Sequence, residues 1–530
     1  MALQLREIAL GLDEDESLLP VRVAAELGLE REDLHGFQVV RRAIDARRKP
    51  KVLRIFSVVF DVADEVTLLA RQADNRRLSL WQPPVVPQFA SREGHHRVLV
   101  VGMGPAGLFA ALSLARYGFQ ITLIERGEPV ERRVPTVNRF RSGGPFDPAS
   151  NIQFGEGGAG TFSDGKLNTR VKHPWGSYVL QTLVDFGATD DILSQAKPHV
   201  GSDRLRLVLI NFRRELLRLG VEIRFDTCLT DLTIGAGRLQ GAILDHQEEF
   251  LCDSLVLATG HSARDTYGML AKQGVALESK PFAIGLRVEH PAELINYIQY
   301  RHRGHPRLPT AEYALTYNDP ESKRGIYSFC MCPGGEVVLA PSESQGLVVN
   351  GMSNRLRNSP YSNSALVVAV RPDDFGAADP LAGMRFQRHW EEAAFVAGGS
   401  DYRAPAQNLL SFLGRGKGPL NSSCRPGVRE WELQQVLPSF VSTALRRALP
   451  HFERRMRGFI TAEATLVGVE TRTSAPLRIL RQADGQALHQ TGLYPVGEGA
   501  GYAGGIMSAA LDGLKAAEQI AETATNRSRR

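Results

Sequence analysis

The stretch that most narrows what this chain can fold into is residues 97–125, RVLVVGMGPAGLFAALSLARYGFQITLIE. Residues 98–101 are an unbroken apolar run of strand length. Gly102, Gly104 and Gly107 follow as G-x-G-x-x-G, with Pro105 and Ala106 between the last two glycines. Residues 108–117 read as a helix with small residues at Ala110, Ala111 and Ala115, stopped by Gly118. Residues 121–124 form a second apolar strand, and Glu125 stands at its end. Strand, glycine turn, helix, strand and terminal acid together predict a βαβ unit that binds an adenine dinucleotide. The first glycine permits the tight turn, the second lets backbone approach a pyrophosphate, and the third lets the helix pack closely on the strand. The helix N-terminus offers free N–H groups and partial positive charge to phosphate. Glu125 is placed to accept from a ribose 2′-OH, and an acid there disfavours a 2′-phosphate. The same six-residue pattern recurs at residues 155–160. No apolar strand precedes it and no helix with a following acid comes after, so it is not read as a second unit.

With 530 residues, the chain has room for several domains and a large core. Its 43% apolar and 23% charged composition excludes extensive disorder. A net charge of +5 is small for this size and requires no acidic partner. Five cysteines (Cys228, Cys252, Cys330, Cys332, Cys424) lack the spacing of a disulfide framework, which favours a reducing compartment. The N-terminus is too acidic and lightly apolar for a signal peptide. The most apolar run, residues 98–115, is broken by glycines and a proline, so no membrane span is expected. A cytoplasmic location follows.

In chain order, residues 1–92 read as a small N-terminal α+β domain, with a strand over 3–12, a helix over 18–27 and β-rich sequence over 52–62. Pro83, Pro84 and Pro87 mark a linker. The basic run Arg41, Arg42, Arg47, Arg48, Lys49, Lys51 and Arg54 reads as a solvated face rather than a nucleic-acid contact, because no aromatic pattern accompanies it. Residues 126–175 are rich in glycine and arginine, and the glycine stretch from Gly155 to Gly165 within them is poorly suited to regular structure. Arg126, Arg133, Gly157, Gly158, Thr161, Asp164, Gly165 and Lys166 are read there as parts of a loop that wraps a cofactor with backbone N–H groups. A helix over 205–219, a strand over 221–225 and a meander to about residue 250 lead to a buried strand ending in Ala258, Thr259 and Gly260. That ending brings backbone to the ligand edge of a sheet. Residues 266–460 lack dinucleotide punctuation and read as an inserted domain. Strands are expected at 282–288, 327–332 and 337–339, and helices near 365–370, 385–397 and 441–457. Near the end, a short strand reaches Gly497 and Glu498. Glycines follow at Gly499, Gly501, Gly504 and Gly505, and an amphipathic helix starts near Ile506. A second helix N-terminus aimed at a ligand is unnecessary for NAD alone. It suits a flavin dinucleotide, whose reduced ring carries negative charge at N1 and C2=O.

These motifs resemble the glutathione-reductase-like FAD flavoproteins, with Glu498 standing where many of them have Asp. More narrowly, GEGGAGTFSDGKL (155–167), ATGHSARDTY (258–267), KPFAIGLRVEHP (280–291), CMCPGGEVV (330–338), VETRTSAP (469–476) and PVGEGAGYAGGIMSAALDG (495–513) resemble the uncharacterised bacterial FAD-dependent dehydrogenase family. The resemblance covers nearly everything from about residue 95 onward. With the chain-order reading above, it leads to the expectation of an α/β chain: a doubly wound, Rossmann-like FAD-binding domain (93–265 and 461–530), an inserted α+β substrate or cap domain (266–460) and the small N-terminal α+β domain read from the residues themselves. It implies FAD but supplies no reaction; noncovalent binding is expected because no His or Cys sits in an attachment motif, and the reaction expected of the flavin is hydride transfer between N5 and a small organic substrate. No second Rossmann unit is visible, so NAD(P)H enters as a transient electron donor docking at the flavin, if at all.

Candidate catalytic residues are few. Arg472 is read either as binding an anionic substrate or reduced flavin, or as salt-bridged to Glu470 or Glu463. His261 is read as a general acid or as a turn histidine with a structural hydrogen bond. Ser474 lies in the same returning stretch as Arg472. The pair Cys330 and Cys332 reads as core or cleft-lining rather than as a redox couple. No Cys/His set has metal spacing. Two rivals are carried: an FAD-dependent RNA-modifying enzyme, and a non-catalytic flavin-bound sensor or scaffold. Oligomeric state is left open.

Overall fold

Residues Leu3–Gly11, His35–Arg48, Lys51–Asp61 and Leu78–Leu80 form an antiparallel sheet in the computed structural model of the chain, which describes residues 2–90, 95–376 and 378–528. Helices Leu19–Leu27 and Glu65–Arg71 complete the unit. The strand order, second–third–first–fourth, is that of a split βαβ motif. Alternation builds its core: Leu3 and Leu5 from the first strand, and Phe56, Val58 and Phe60 from the third, are buried. Part of the basic run is consumed here. The Arg42 side chain bonds Glu16 and Ser194, and its backbone pairs with Ser194 and Ala196. Lys49 donates to the Ile298 carbonyl at 2.7 Å. These contacts tie the N-terminal sheet to the rest of the chain. The boundary expected at 92/93 lies outside the described residues.

The βαβ unit forms as expected: strand Arg97–Val101, helix Pro105–Tyr117 and strand Gln120–Ile124. They belong to a five-stranded parallel sheet in the order Leu493–Pro495, Ser254–Leu257, Arg97–Val101, Gln120–Ile124, Glu222–Arg224. Strand periodicity splits its apolar residues between two faces. Val98 and Val100 pack with helices Pro105–Tyr117, Ser202–Arg218 and Ile506–Ser528. Leu99 and Val101 pack with the antiparallel meander Leu229–Gly235, Arg238–Leu244, Glu248–Leu251 and with helix Arg264–Lys272. The fold is the α/β class expected, with a parallel sheet covered on both faces.

The largest sheet has seven strands, in the order Thr316–Asn318, Gly325–Cys332, Tyr361–Val370, Phe282–Pro291, Thr465–Glu470, Ala404–Asn408, Val428–Glu430. Helix Ser439–Arg455 covers one face, over Leu286, Val288, Leu366 and Val368. Two expectations are corrected here. Residues 365–370 are strand, not helix: their β-branched run is wholly buried between two strands and so shows no helical period. Residues 461–470 do not rejoin the dinucleotide sheet. Strand Thr465–Glu470 sits inside the seven-stranded sheet, where Leu466 and Val467 complete its core. Helix Val130–Arg141 leads from the dinucleotide unit toward the glycine loop. Its buried face, Val130, Arg133, Val137 and Phe140, has helical spacing, but an arginine occupies one apolar position and Pro135 interrupts the interior.

Candidate functional site

A cleft of about 490 Å³ opens where the C-terminal ends of the parallel strands meet the glycine loop and the second face of the seven-stranded sheet. Parallel sheets present ligands at this edge, and the volume is in the range of cofactor sites. Of the residues expected at a cofactor, Gly102, Gly104, Pro105, Ala106, Glu125, Arg126, Gly158, Asp164, Gly165, Lys166, Ala258, Thr259, Gly260, Gly497, Glu498, Gly504, Gly505 and Ile506 line it.

The glycines divide by role. Gly102 turns with φ +100°, its N–H bonded to the Ile124 carbonyl at 2.8 Å. A Cβ on Gly107 would lie 1.9 Å from the Gly102 carbonyl oxygen, so Gly107 sets the approach of helix to strand rather than facing a ligand. A Cβ on Gly104, Gly260, Gly504 or Gly505 would meet nothing within 4 Å. At those positions bare backbone borders open space. Helices Pro105–Tyr117 and Ile506–Ser528 both begin at this cleft. They cross closely, because a Cβ on Gly513 would sit 2.1 Å from the Ala106 oxygen. Two sets of free N–H groups therefore converge on one cavity.

Glu125 is buried. Its carboxylate accepts from the N–H groups of Met103 (2.9 Å), Gly127 (3.1 Å) and Gly155 (2.9 Å). Three of about four lone-pair sites are thus used. Arg126 pairs with Asp265 at 3.0 Å and lies 4.4 Å over the Phe154 ring. Asp164 is held by the Arg357 guanidinium at 2.5 and 3.0 Å. Lys166 donates to the Met331 carbonyl.

Arg133, Gly157 and Thr161 stand behind the cleft, contrary to expectation. Arg133 is wholly buried, and its N–H groups donate to the carbonyls of Asn151, Ile152, Glu156 and Gly158 and to the Thr161 hydroxyl, at 2.6–3.1 Å. Its five-donor fork braces the glycine loop from inside and retains nothing for a ligand. Thr161 bonds the Glu156 carbonyl at 2.8 Å, and Gly157 has no room for a side chain against Thr161 and Leu209.

The catalytic candidates are also redefined. Arg472 reaches the cleft wall but pairs neither with Glu470 nor with Glu463. It makes a two-pronged bond to Glu391 (2.9 and 2.7 Å) and donates to Ser342 at 2.6 Å. Glu391 also accepts both prongs of Arg264 at 3.0 and 2.8 Å, so one buried carboxylate bridges two buried arginines. With three of its five donors committed to Glu391 and Ser342, Arg472 is anchored in the cleft wall. His261 lines the cleft, bonded to the Ser262 hydroxyl at 3.1 Å and 4.0 Å from Glu498. Burial and the charges of Arg472 and Arg264 push it down to about 3. It is neutral at physiological pH and holds no general-acid proton as imidazolium. Ser474 is half-buried, while its neighbour Thr473 lines the cleft and bridges the Ala283 N–H and carbonyl at 3.0 and 3.2 Å.

Two features of the wall escaped the sequence. Arg287, wholly buried in strand Phe282–Pro291, pairs with cleft-lining Glu470 at 2.7 Å. A charge inside that apolar strand was its only sequence signal. Glu498 is pushed up to about 7 by burial, opposed by a Gly505 N–H bond and Lys280. Cys330 lines the cleft and Cys332 is buried, in keeping with the core or cleft-lining reading of the pair.

Comparison with known proteins bears on this cleft. Residues 96–279 match the family of pyridine nucleotide-disulphide oxidoreductases, and residues 281–473 match the C-terminal domain of FAD-dependent proteins. Residues 2–61 match a domain of unknown function. A protein of Clostridium beijerinckii, described only as uncharacterised, is 45% identical over 529 residues, covering 98% of this chain and 99% of that one. Among solved structures, glycine oxidase from Bacillus cereus is 12% identical with a TM-score of 0.32, covering 80% of this chain and 96% of that one. A geranylgeranyl bacteriochlorophyll reductase-like protein from Thermoplasma acidophilum is 13% identical with a TM-score of 0.34, covering 82% of this chain and 80% of that one. No helix among the described residues is long and apolar enough to cross a membrane.

Proposed function

The chain belongs to the same family as the clostridial protein, a family of FAD-dependent flavoproteins, and on that premise we propose that it is an oxidoreductase exchanging a hydride with a small organic substrate. The observation that carries this reading is the convergence of two helix N-termini and bare glycine backbone on a single cleft. Bound there without a covalent link, FAD supplies the redox step at N5 of its ring. The chain's own residues bind and orient. Gly104 and the helix behind it receive the pyrophosphate. Glu125, with one lone pair to spare, accepts from a ribose hydroxyl. Gly504, Gly505 and the helix from Ile506 would stabilise negative charge on a reduced flavin bound there, with Glu498 also lining the cleft. The Arg264–Glu391–Arg472 cluster and the Arg287–Glu470 pair brace the cleft wall through buried ion pairs. NAD(P)H serves as a transient donor that docks without a Rossmann unit of its own.

The test is anaerobic mixing of the FAD-loaded protein with NADH or NADPH, followed near the oxidised-flavin absorbance at roughly 450 nm. Rapid bleaching by one nicotinamide is expected. A protein that takes up no FAD would refute the proposal. An FAD-loaded protein reduced by neither nicotinamide and by no amine, hydroxy acid or enoyl compound would refute the oxidoreductase reading.

A further inference from the structure

Donors and acceptors along the cleft are unevenly matched. Two of its acids are satisfied by buried arginines: Glu470 accepts from Arg287 at 2.7 Å, and Asp164 takes both prongs of Arg357. Glu125 is filled mainly by three backbone N–H groups. The donors keep more in reserve. Arg472 is 7% exposed and lines the cleft. It spends Nε and one N–H of Nη2 on Glu391, and one N–H of Nη1 on Ser342. One N–H therefore remains on each terminal nitrogen. Lys166 spends one of its three N–H groups on the Met331 carbonyl. Asn350 accepts from Gly351 and Arg287 at Oδ1, and its amide N–H₂ is uncommitted. Charge runs the same way as the donors. Glu391 is one carboxylate between two arginines, and the other acid of the cluster, Glu343, is bonded to Arg264. Burial lowers Arg472 from its ordinary value despite Glu391, and the Arg264 charge adds to this. A buried guanidinium with spare donors and shared neutralisation favours an anion, and its planar fork matches the two oxygens of a carboxylate. Arg472 follows strand Thr465–Glu470 of the seven-stranded sheet, whereas the pyrophosphate site at Gly104 belongs to the dinucleotide unit. Phe329, from strand Gly325–Cys332 of that same sheet, also lines the cleft; at 37% exposed it offers an apolar face.

We propose that the substrate is an organic carboxylate whose acid group is held by the spare donors of Arg472 and whose apolar body lies against Phe329. This rests on the FAD reading and names the substrate class of the same cleft. The two uncommitted N–H groups of Arg472 bond the carboxylate, while Glu391 keeps the guanidinium in place, so one side chain is both brace and binder. Lys166 and Asn350 supply further donors to the same cavity. An amide of the same body brings no charge to the guanidinium and sets an N–H₂ group against its donors. Acid and amide are therefore told apart by a repulsive contact as well as by an attractive one. In this role Arg472 fixes specificity and orientation; it transfers neither proton nor hydride.

The test uses the full FAD-loaded chain, with FAD content read first from its absorbance. At about pH 7.5, where simple carboxylic acids are ionised, the flavin absorbance at roughly 450 nm is titrated with benzoate, cinnamate and octanoate, and with the amide of each. The wild type is expected to show a saturable shift with at least one acid, at a dissociation constant at least about tenfold below that of its amide. This comparison needs no variant to fold. Arg472→Lys keeps a cation beside Glu391 but loses the fork, so the preference for acid over amide should shrink at least about fivefold. A purely structural role weakens acid and amide alike and leaves that preference unchanged. An FAD-loaded wild type that binds none of the acids, or binds each amide as tightly as its acid, overturns the proposal alone. An FAD-loaded Arg472→Lys with an unchanged preference does the same. A chain that takes up no FAD overturns the reading beneath it, and the proposal with it.

Discussion

Glu391 bridges Arg264 and Arg472, and removing its charge should be costly because both arginines are buried. It accepts five hydrogen bonds: two from each guanidinium and one from the Thr471 hydroxyl at 2.6 Å. Its exposure is 0%, so solvent screening does not reduce the loss. Glu391→Gln keeps the shape but turns an amide N–H₂ toward an arginine fork and leaves two buried cations. Arg264 retains Glu343 at 2.6 Å; Arg472 retains only the Ser342 hydroxyl. Stranding one partner of a buried pair costs about 3–5 kcal/mol, and because Arg264 keeps a carboxylate we expect roughly 4 kcal/mol rather than twice the range. Guanidinium unfolding, followed by tryptophan fluorescence to include Trp390 beside the cluster, measures it. Replacing Glu391 and Arg472 together by Leu and Met should recover at least half of the loss, since the second stranded charge is gone. The two guanidinium groups hold the Glu391 carboxyl far below its ordinary 4.5 despite burial. Its contribution is therefore complete above about pH 4.5 and lost as pH falls toward the depressed folded value, so Glu391→Gln should also flatten the acid limb of the stability profile. A stability change under about 1 kcal/mol would refute the assignment of this triad as a buried, mutually dependent unit.

Other expectations separate packing from binding. Gly104→Ala should leave the unliganded protein within about 0.5 kcal/mol of wild type yet weaken FAD binding at least about tenfold, because its Cβ enters only the open cleft. Gly107→Ala should lower stability itself, since its Cβ meets the Gly102 oxygen at 1.9 Å; thermal melts with FAD titrations distinguish the two. Arg133→Lys removes the fork that bonds four loop carbonyls, so melts and FAD titrations should show loss of both stability and affinity. Glu498, pushed up to about 7, folds more readily protonated, so the stability of unliganded wild type should fall as pH rises through about 7, and Glu498→Gln should not show this step in melts at pH 5.5 and 8, values chosen to be about a unit or more either side. His261 is neutral down to about 3, so His261→Asn should leave the activity–pH profile between roughly pH 5 and 8 unchanged in shape.

Local signals and long-range pairings account for where reading the sequence succeeded. The βαβ unit was legible because strand, turn, helix and acid are contiguous, and each has a residue-level signature. The late glycines were legible for the same reason. Arg133 was misplaced because a buried arginine and an exposed phosphate-binding arginine look alike in sequence; only the five carbonyl and hydroxyl partners around it distinguish them. Arg472 was offered two acids within ten residues and chose one 81 positions away, a pairing no spacing rule contains. Residues 365–370 were mistaken for helix because a fully buried strand has no polar face to reveal its period.

The sequence by itself determined the dinucleotide unit, the two helix N-termini and the α/β class. These depend on hydrogen bonds and steric limits acting within a few residues. The tertiary structure alone decided which charges neutralise which, that Arg472 and Arg133 are braces, that His261 is neutral, and that Cys330 turns into the cleft while Cys332 stays behind. Those outcomes depend on burial and on charge partners brought together from distant segments, and the free energy of an ionisable group is set by its surroundings in space rather than by its neighbours along the chain.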